Sequence, residues 1–204
     1  GVSERLVITD LEEFCKNQKD CKIPLMKNLV IDYNKITSMA IAGNSGSGKS
    51  YTLTYFLSLL KGISDLIIVD PKFDTPSRWA RQNKIAVIHP EQNRSKSDFV
   101  SQVNEHLSTC LNLIQQRQSI LYDNPNHQFE HLTIVIDEVL ALSEGVNKAI
   151  KESFFSLLSQ IALLGRATRV HLLLVSQRFD HNTIPVSVRE QMNLLIQIGN
   201  ISSK

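Results

Sequence analysis

The chain has 204 residues, of which 42% are hydrophobic, so it is long enough and apolar enough to bury the core of one ordinary domain. Its 22 basic and 20 acidic residues give a formal net charge of +2, which excludes a basic excess spread over the whole chain. The three cysteines, Cys15, Cys21 and Cys110, form neither a disulfide framework nor a metal-binding knuckle, as is usual for thiols in a reducing cytosol. All apolar runs are shorter than the roughly 20 residues of a membrane helix, and no signal-peptide pattern opens the chain.

Short apolar runs alternate with helical patterns along most of the chain. Within the first 37 residues, Leu29, Val30 and Ile31 are predicted to form a strand. Six later runs lack polar alternation, which is typical of strands buried on both faces of a parallel sheet. Between them, residues 98–121 and 150–161 repeat apolar side chains at helical spacing, so we predict a doubly wound α/β sheet with its ligand at the carboxyl edge. The six runs are SMAIAG (38–43), DLIIVD (65–70), IAVIH (85–89), LTIVID (132–137), VHLLLVS (170–176) and LLIQIG (194–199).

The stretch GNSGSGKS, residues 43–50, follows the first of these runs and fits the phosphate-loop pattern GxxxxGK[ST]. Glycines let the backbone turn so that its N–H groups point at phosphate oxygens, and the following helix adds its positive N-terminus. Lys49 is expected to neutralise the β- and γ-phosphates of ATP, and the Ser50 hydroxyl to ligate Mg²⁺. A flexible Gly/Ser turn would explain neither the lysine nor the flanking strand and helix. The predicted nucleotide-binding residues are Gly43, Asn44, Ser45, Gly46, Ser47, Gly48, Lys49, Ser50 and Tyr51.

A pair of carboxylates ends the predicted strand in LTIVIDE. At that position Asp137 is able to hold the Mg²⁺ shell through water, and Glu138 is able to polarise the attacking water as a general base. This pairing favours hydrolysis over phosphorylation of a small molecule. Without the phosphate loop, a solvated acidic pair at a strand end would be the simpler interpretation.

Two other predicted strands end in polar residues at the same edge. In VHLLLVSQR, Gln177 is placed to sense the γ-phosphate or to orient water, although a strand-end glutamine more often bonds backbone groups. In LIIVDPK, Pro71 is expected to stop the strand and Lys72 to point toward whatever occupies the crevice.

The stretches IAGNSGSGKS, IIVDPK, IVIDE and VHLLLVSQR, in this order, resemble the motor domain of the FtsK/SpoIIIE branch of the FtsK/HerA translocases over about residues 22–204. The resemblance implies a RecA-like (ASCE) P-loop fold, with a mainly parallel sheet covered by helices on both faces, after an N-terminal extension at residues 1–21. Residues 163–203 look most like the versions encoded by conjugative elements of Gram-positive bacteria. Members of the family usually continue beyond the position of Lys204, so the domain is expected to be truncated at its C-terminal end. The family also usually has proline where this chain has Phe179.

The same resemblance implies an assembly. Such domains form hexameric rings around DNA, bind ATP between subunits and complete each site with an arginine from the neighbour. Arg166 falls at that arginine's position and Arg169 is the reserve candidate, although either is also consistent with an exposed cation at a helix end.

Basic residues in two segments are candidates for DNA contact in the central channel of such a ring. Ordinary solvated charges are an equally good interpretation of each residue taken singly. The candidates are Lys72, Arg78, Arg81, Lys84, Lys148 and Lys151.

These features favour an ATP-driven DNA translocase or coupling motor serving conjugative transfer, with a relaxase and membrane channel proteins as further partners. The resemblance favours a cytoplasmic motor domain of a membrane-anchored protein, with the anchor outside these residues. The alternatives are a chromosome translocase, a protein-secretion motor of the same kind, and a nucleotide-binding adaptor that does not hydrolyse ATP.

Overall fold

The computed structural model describes residues 6–8, 22–26, 29–44, 48–180 and 182–199. Its central feature is a seven-stranded sheet in which every pair of neighbouring strands is parallel, in the spatial order β1-β9-β4-β8-β7-β5-β6. The strands are β1 Leu6–Ile8, β2 Lys22–Met26, β3 Leu29–Asp32, β4 Ser38–Ala42, β5 Ser64–Val69, β6 Val87–Ile88, β7 His131–Ile136, β8 Val170–Ser176 and β9 Met192–Gln197.

The predicted parallel α/β fold is confirmed, and all six predicted runs contribute strands to the central sheet. The run at residues 85–89 is shorter than expected, since only Val87 and Ile88 pair with β5 at the sheet edge. The predicted strand at residues 29–31 forms as β3, but it pairs antiparallel with β2 in a separate two-stranded sheet. Strand β1 lies within the predicted N-terminal extension and pairs with β9.

Among the described residues, five α-helices connect the strands. Both predicted helical patterns form, and their apolar stripes are buried: Phe99, Val103 and Leu107 in α3, and Phe154 and Leu158 in α4. The helices are α1 Lys49–Leu60, α2 Thr75–Gln82, α3 Lys96–Asp123, α4 Lys148–Thr168 and α5 Val186–Arg189, with 3-10 turns at Tyr33–Lys35 and Val139–Leu142.

The core consists of two layers, one on each face of the sheet. Alternate residues of a strand point to opposite faces, so Met39 and Ile41 of β4 pack with α1 and α2, while Ala40 and Ala42 pack with α3 and α4. Because both layers are apolar, the central strands have no solvent face. This explains the continuous apolar runs in the sequence.

Hydrogen-bonded and stacked side chains join the turn at residues 33–35 to the amino edge of the sheet. His131 Nδ1 lies 2.8 Å from His171 Nε2, and His131 Nε2 lies 2.9 Å from the side-chain oxygen of Asn34. The Tyr33 ring stacks on His171 with 4.2 Å between the ring centroids. His171 is therefore a packed, hydrogen-bonded histidine of the core.

These two histidines make stability depend on pH. Burial lowers the pKa of both imidazoles, and that of His171 falls to about 3. Between about pH 6.5 and pH 3 the unfolded chain therefore binds the His171 proton and the folded chain does not, so stability is lost as pH falls from 6.5. The charged groups acting on the pair are Arg117, Arg169, Glu130 and Asp32.

We expect the wild-type protein to lose about 2 kcal/mol of unfolding free energy relative to His171→Gln between pH 7 and pH 5. Titrations common to both proteins cancel in this difference. Urea denaturation at both pH values measures it, with His106→Gln, an exposed histidine of α3, as the matched control. A difference between wild type and His171→Gln that stays constant over this range would contradict the expectation.

Candidate functional site

The polar residues predicted at three strand ends meet in one cavity of about 320 Å³ at the carboxyl edge of the sheet. The walls come from the phosphate loop after β4 and from the segments after β5, β7 and β8. This convergence follows from the parallel topology, because the carboxyl ends of all central strands lie at one edge. The lining residues are Asn44, Gly48, Lys49, Ser50, Lys72, Asp74, Thr75, Asp137, Glu138 and Gln177.

The phosphate loop joins β4 to α1. Gly43 leaves the sheet with its N–H donating to the Ser176 carbonyl oxygen (3.1 Å), and Gly48 has φ of 91°, a left-handed conformation that favours glycine. Lys49 then begins α1, so the lysine stands where the helix N-terminus is positive. The predicted phosphate-binding residues Ser45, Gly46 and Ser47 lie outside the described residues. Tyr51 is 63% exposed and is not among the residues lining the cavity.

Lys49 and Glu138 form an ion pair across the cavity. The Lys49 ammonium lies 2.8 Å from Glu138 Oε1, and only 10% and 15% of the two side chains are exposed. Glu138 has a left-handed backbone with φ of 52°, which turns the chain directly after β7. The predicted phosphate-binding lysine and the predicted general base are therefore direct partners.

Asp137 lies beside this pair, where its backbone N–H donates to the Val69 carbonyl oxygen (3.0 Å) and extends the ladder between β5 and β7 by one bond. Burial, above all, and the nearby Glu138 and Asp70 carboxylates raise the pKa of the Asp137 carboxyl to about 7. The ammonium groups of Lys49 and Lys72 act in the opposite direction. Asp137 is thus a carboxyl whose ionisation a further positive charge would strongly favour.

The side-chain oxygen atoms of Asp137 and Ser50 are suitable ligands for Mg²⁺. The Asp137 carboxylate and the Ser50 hydroxyl supply the hard oxygen atoms that this cation prefers, and both line the cavity. A divalent cation would also relieve the cost of ionising a carboxyl that is crowded by two others. The residues present therefore fit the metal that the sequence motifs imply.

Asp70, which ends the DLIIVD run, holds the segment after β5 in place. It is fully buried and accepts hydrogen bonds from the backbone N–H groups of Lys72, Asp74 and Ser77 at 3.2, 2.8 and 3.2 Å. The Ser77 hydroxyl donates a fourth bond of 2.6 Å to the same carboxylate. The sequence predicted the strand end here, but it did not reveal that the aspartate organises the loop and the start of α2.

We expect Asp70→Ala to lower the unfolding free energy by about 2–4 kcal/mol, because it leaves four donors without their acceptor. Nucleotide affinity should fall as well, since Lys72 and Asp74 line the cavity. Thermal melting and equilibrium nucleotide binding measure the two effects. Asp123→Ala, at the exposed end of α3, is the matched control. An Asp70→Ala protein as stable as the control would contradict this account.

Gln177 follows β8 directly and is exposed at the cavity wall. It also lines a second, more open cavity of about 530 Å³, which shares Asn44 with the first and includes Arg178 and Phe179. The position at the carboxyl edge agrees with the prediction from the sequence. The sensing role stays a prediction.

Arg166 lies far from the cavity of its own chain. It is exposed near the end of α4, where the close approach of the helix to β8 requires Gly165, because a Cβ there would collide with the Val170 carbonyl oxygen. Strand β8 then spans seven residues, or about 20 Å, before it reaches the cavity edge. The reserve candidate Arg169 donates to the Phe129 carbonyl oxygen of its own chain (3.0 Å).

The candidate DNA contacts come from elements on both faces of the sheet. Arg78 bonds Asp74 (2.6 Å) and Thr75 (3.1 Å), and Lys72 lines the nucleotide cavity. Helix α2, which carries Arg78 and Arg81, packs on one face of the sheet, whereas α4, which begins with Lys148, packs on the other. The remaining candidates, Arg81, Lys84, Lys148 and Lys151, are exposed.

None of the helices among the described residues combines the length and the apolar character that a bilayer crossing requires.

Cys110 is a free, buried thiol whose pKa is raised to about 11 by burial, while Cys15 and Cys21 lie outside the described residues.

No protein-family model matches the chain. Curated relatives that do match include the FtsK domain-containing protein YdcQ of Bacillus subtilis, 22% identical over 88% of this chain, and the DNA translocase FtsK of Helicobacter pylori, 28% identical over 84%. Among solved structures, the pCW3 conjugation coupling protein TcpA with ATPγS has a TM-score of 0.72, 20% identity and 97% coverage of this chain. The type VII secretion ATPase EccC of Thermomonospora curvata has a TM-score of 0.66, 14% identity and 85% coverage.

The resemblance to FtsK/SpoIIIE motor domains is therefore confirmed. At 20% and 14% identity the solved structures show the fold, which is that of RecA-like P-loop ATPases. The chain spans 38% of the length of YdcQ, 22% of the Helicobacter translocase, 59% of the TcpA chain and 22% of the EccC chain.

Proposed function

We propose that this chain is the ATP-hydrolysing core of a DNA translocase or coupling motor. The observation that carries the proposal is the meeting of Lys49, Ser50, Asp137, Glu138 and Gln177 in one cavity. A phosphate-binding lysine, oxygen donors for Mg²⁺ and a carboxylate able to activate water are the parts that ATP hydrolysis requires.

The chemistry follows from the Lys49–Glu138 pair. In the proposed mechanism, Lys49 exchanges its bond to Glu138 for phosphate oxygens when ATP binds, which leaves the Glu138 carboxylate able to accept a proton from the attacking water. Gln177 orients that water or contacts the γ-phosphate from the end of β8. Ser50 and Asp137 would hold Mg²⁺, which would neutralise charge on the phosphates.

DNA as the substrate is supported by the relatives. One is a DNA translocase and one structural neighbour is a conjugation coupling protein, so we extend DNA movement and, more specifically, conjugative transfer to this chain. In this proposal each hydrolysis event changes the contacts between neighbouring subunits and moves a DNA-gripping loop. Relaxase and channel proteins would then be the partners of a membrane-anchored assembly whose motor domain is cytoplasmic.

The assembly we propose is a hexameric ring in which Arg166 completes the site of the next subunit. Its exposure, and the strand length of about 20 Å that separates it from the cavity of its own chain, support action in trans. An arginine placed this way stabilises the charge that develops on the phosphates during transfer.

The test is ATP hydrolysis by the full-length protein with single-stranded DNA, double-stranded DNA or neither. We expect DNA to raise turnover and the effect to weaken steeply with salt, because phosphate contacts release counterions. Heparin is the control polyanion. Turnover that responds to heparin and DNA alike, or to neither, would overturn DNA as the substrate while leaving the ATPase intact.

A protein-secretion motor is the second candidate, and the likeness to the secretion ATPase EccC is the observation that favours it. The two candidates differ in what stimulates them. A secretion motor would respond to a polypeptide substrate and not to DNA.

A further inference from the structure

Lys72 belongs to the nucleotide cavity. It lines the same space as Lys49 and Ser50, although it comes from the segment after β5. The sequence predicted that this lysine points into the crevice and also grouped it with the candidate DNA contacts.

The backbone that carries Lys72 is well anchored. The Lys72 N–H donates to Asp70 at 3.2 Å, and the Asp74 and Ser77 N–H groups bond the same buried carboxylate. Next to it, the Phe73 ring packs on His89 with 4.1 Å between the ring centroids. A lysine on such a segment presents its charge to a defined region and loses less freedom when it binds.

The charges of the cavity leave Lys72 available for a ligand. Lys49 is paired with Glu138 at 2.8 Å, and Asp74 is paired with Arg78 at 2.6 Å. Among the described residues, no ion pair or hydrogen bond involves the Lys72 ammonium. Lys72 is therefore the positively charged residue of the cavity wall that is able to pair with an anionic ligand.

We propose that Lys72 is a second phosphate-binding lysine, which contacts the terminal phosphate of the bound nucleoside triphosphate from the segment after β5. This inference rests on the proposed ATPase function and adds a residue to it. Because the contact is to the terminal phosphate, Lys72 distinguishes ATP from ADP and positions the phosphate that is transferred. Through this contact, the position of the segment after β5 depends on whether ATP or ADP is bound.

The experiment compares the full-length wild type with Lys72→Met and Lys72→Arg. A charge-assisted hydrogen bond contributes about tenfold or more to binding, so Lys72→Met should weaken ATPγS binding about tenfold and leave ADP binding unchanged. ATP turnover at saturating nucleotide without DNA should also fall about tenfold, and Lys72→Arg should recover part of both losses. Lys96→Met, an exposed lysine at the start of α3, is the matched control.

The outcomes separate this inference from the proposed function. ATPγS binding by Lys72→Met within twofold of wild type would overturn the inference, as would equal losses for ATPγS and ADP. A loss confined to DNA binding would assign Lys72 to DNA instead. If the wild type does not hydrolyse ATP, the proposed function fails, yet the comparison of ATPγS with ADP still tests the contact to the terminal phosphate.

Discussion

Glu138→Gln should lower ATP turnover by about 100- to 10,000-fold and leave ATP binding intact, because the amide cannot accept the proton of the attacking water. The glutamine keeps an oxygen in place of Oε1, which lies 2.8 Å from the Lys49 ammonium, so the fold around the cavity should persist. Phosphate release measures turnover, and equilibrium binding of ATPγS measures affinity. The affinity for ATPγS should even increase, because in the variant Lys49 breaks a bond to a neutral amide, and not to a carboxylate, when it moves to the phosphates.

Glu144→Gln is the matched control, because Glu144 is an exposed carboxylate that follows the same strand and does not line the cavity. It should leave turnover unchanged. A Glu138→Gln protein with normal turnover would remove Glu138 from the chemistry. If that variant also supported normal transfer of DNA in cells, the chain would be a nucleotide-binding adaptor and not a motor.

Arg166→Ala should lower turnover by about 1,000-fold while nucleotide binding stays close to that of the wild type, because the arginine acts on the charge that develops during phosphoryl transfer. The side chain is exposed at the end of α4 and makes no hydrogen bond to any described residue, so stability should not change. Gln160→Ala, exposed on the same helix, is the matched control.

Mixing two inactive variants tests whether Arg166 acts across a subunit boundary. In a ring that contains both Arg166→Ala and Glu138→Gln subunits, some sites combine a wild-type Glu138 with a wild-type Arg166 from the neighbour. Turnover should therefore reappear on mixing and vary with the ratio of the two proteins. Mixtures that stay inactive while co-assembling, or an Arg166→Ala protein with turnover within a few-fold of wild type, would exclude the role in trans.

The fold could be predicted because its determinants are local. Continuous apolar runs of strand length require burial on both faces, and the helical stripes of α3 and α4 supply the covering layer on one face. The edge strand β6 was predicted too long, because a strand end at the rim of a sheet is set by pairing with β5 and not by its own residues. The pairing of β3 with β2 could not be predicted for the same reason, since an apolar triplet does not identify the strand with which it pairs.

By itself, the sequence determined the parallel architecture and the residues that stand at the carboxyl ends of its strands, because strand burial and the phosphate-loop pattern are properties of short stretches. The tertiary structure alone decided which of these residues touch. It pairs Lys49 with Glu138 and sets Arg166 at the opposite edge. These relations join residues tens of positions apart in the chain, and their distances depend on strand order and loop paths, which no short stretch of residues specifies.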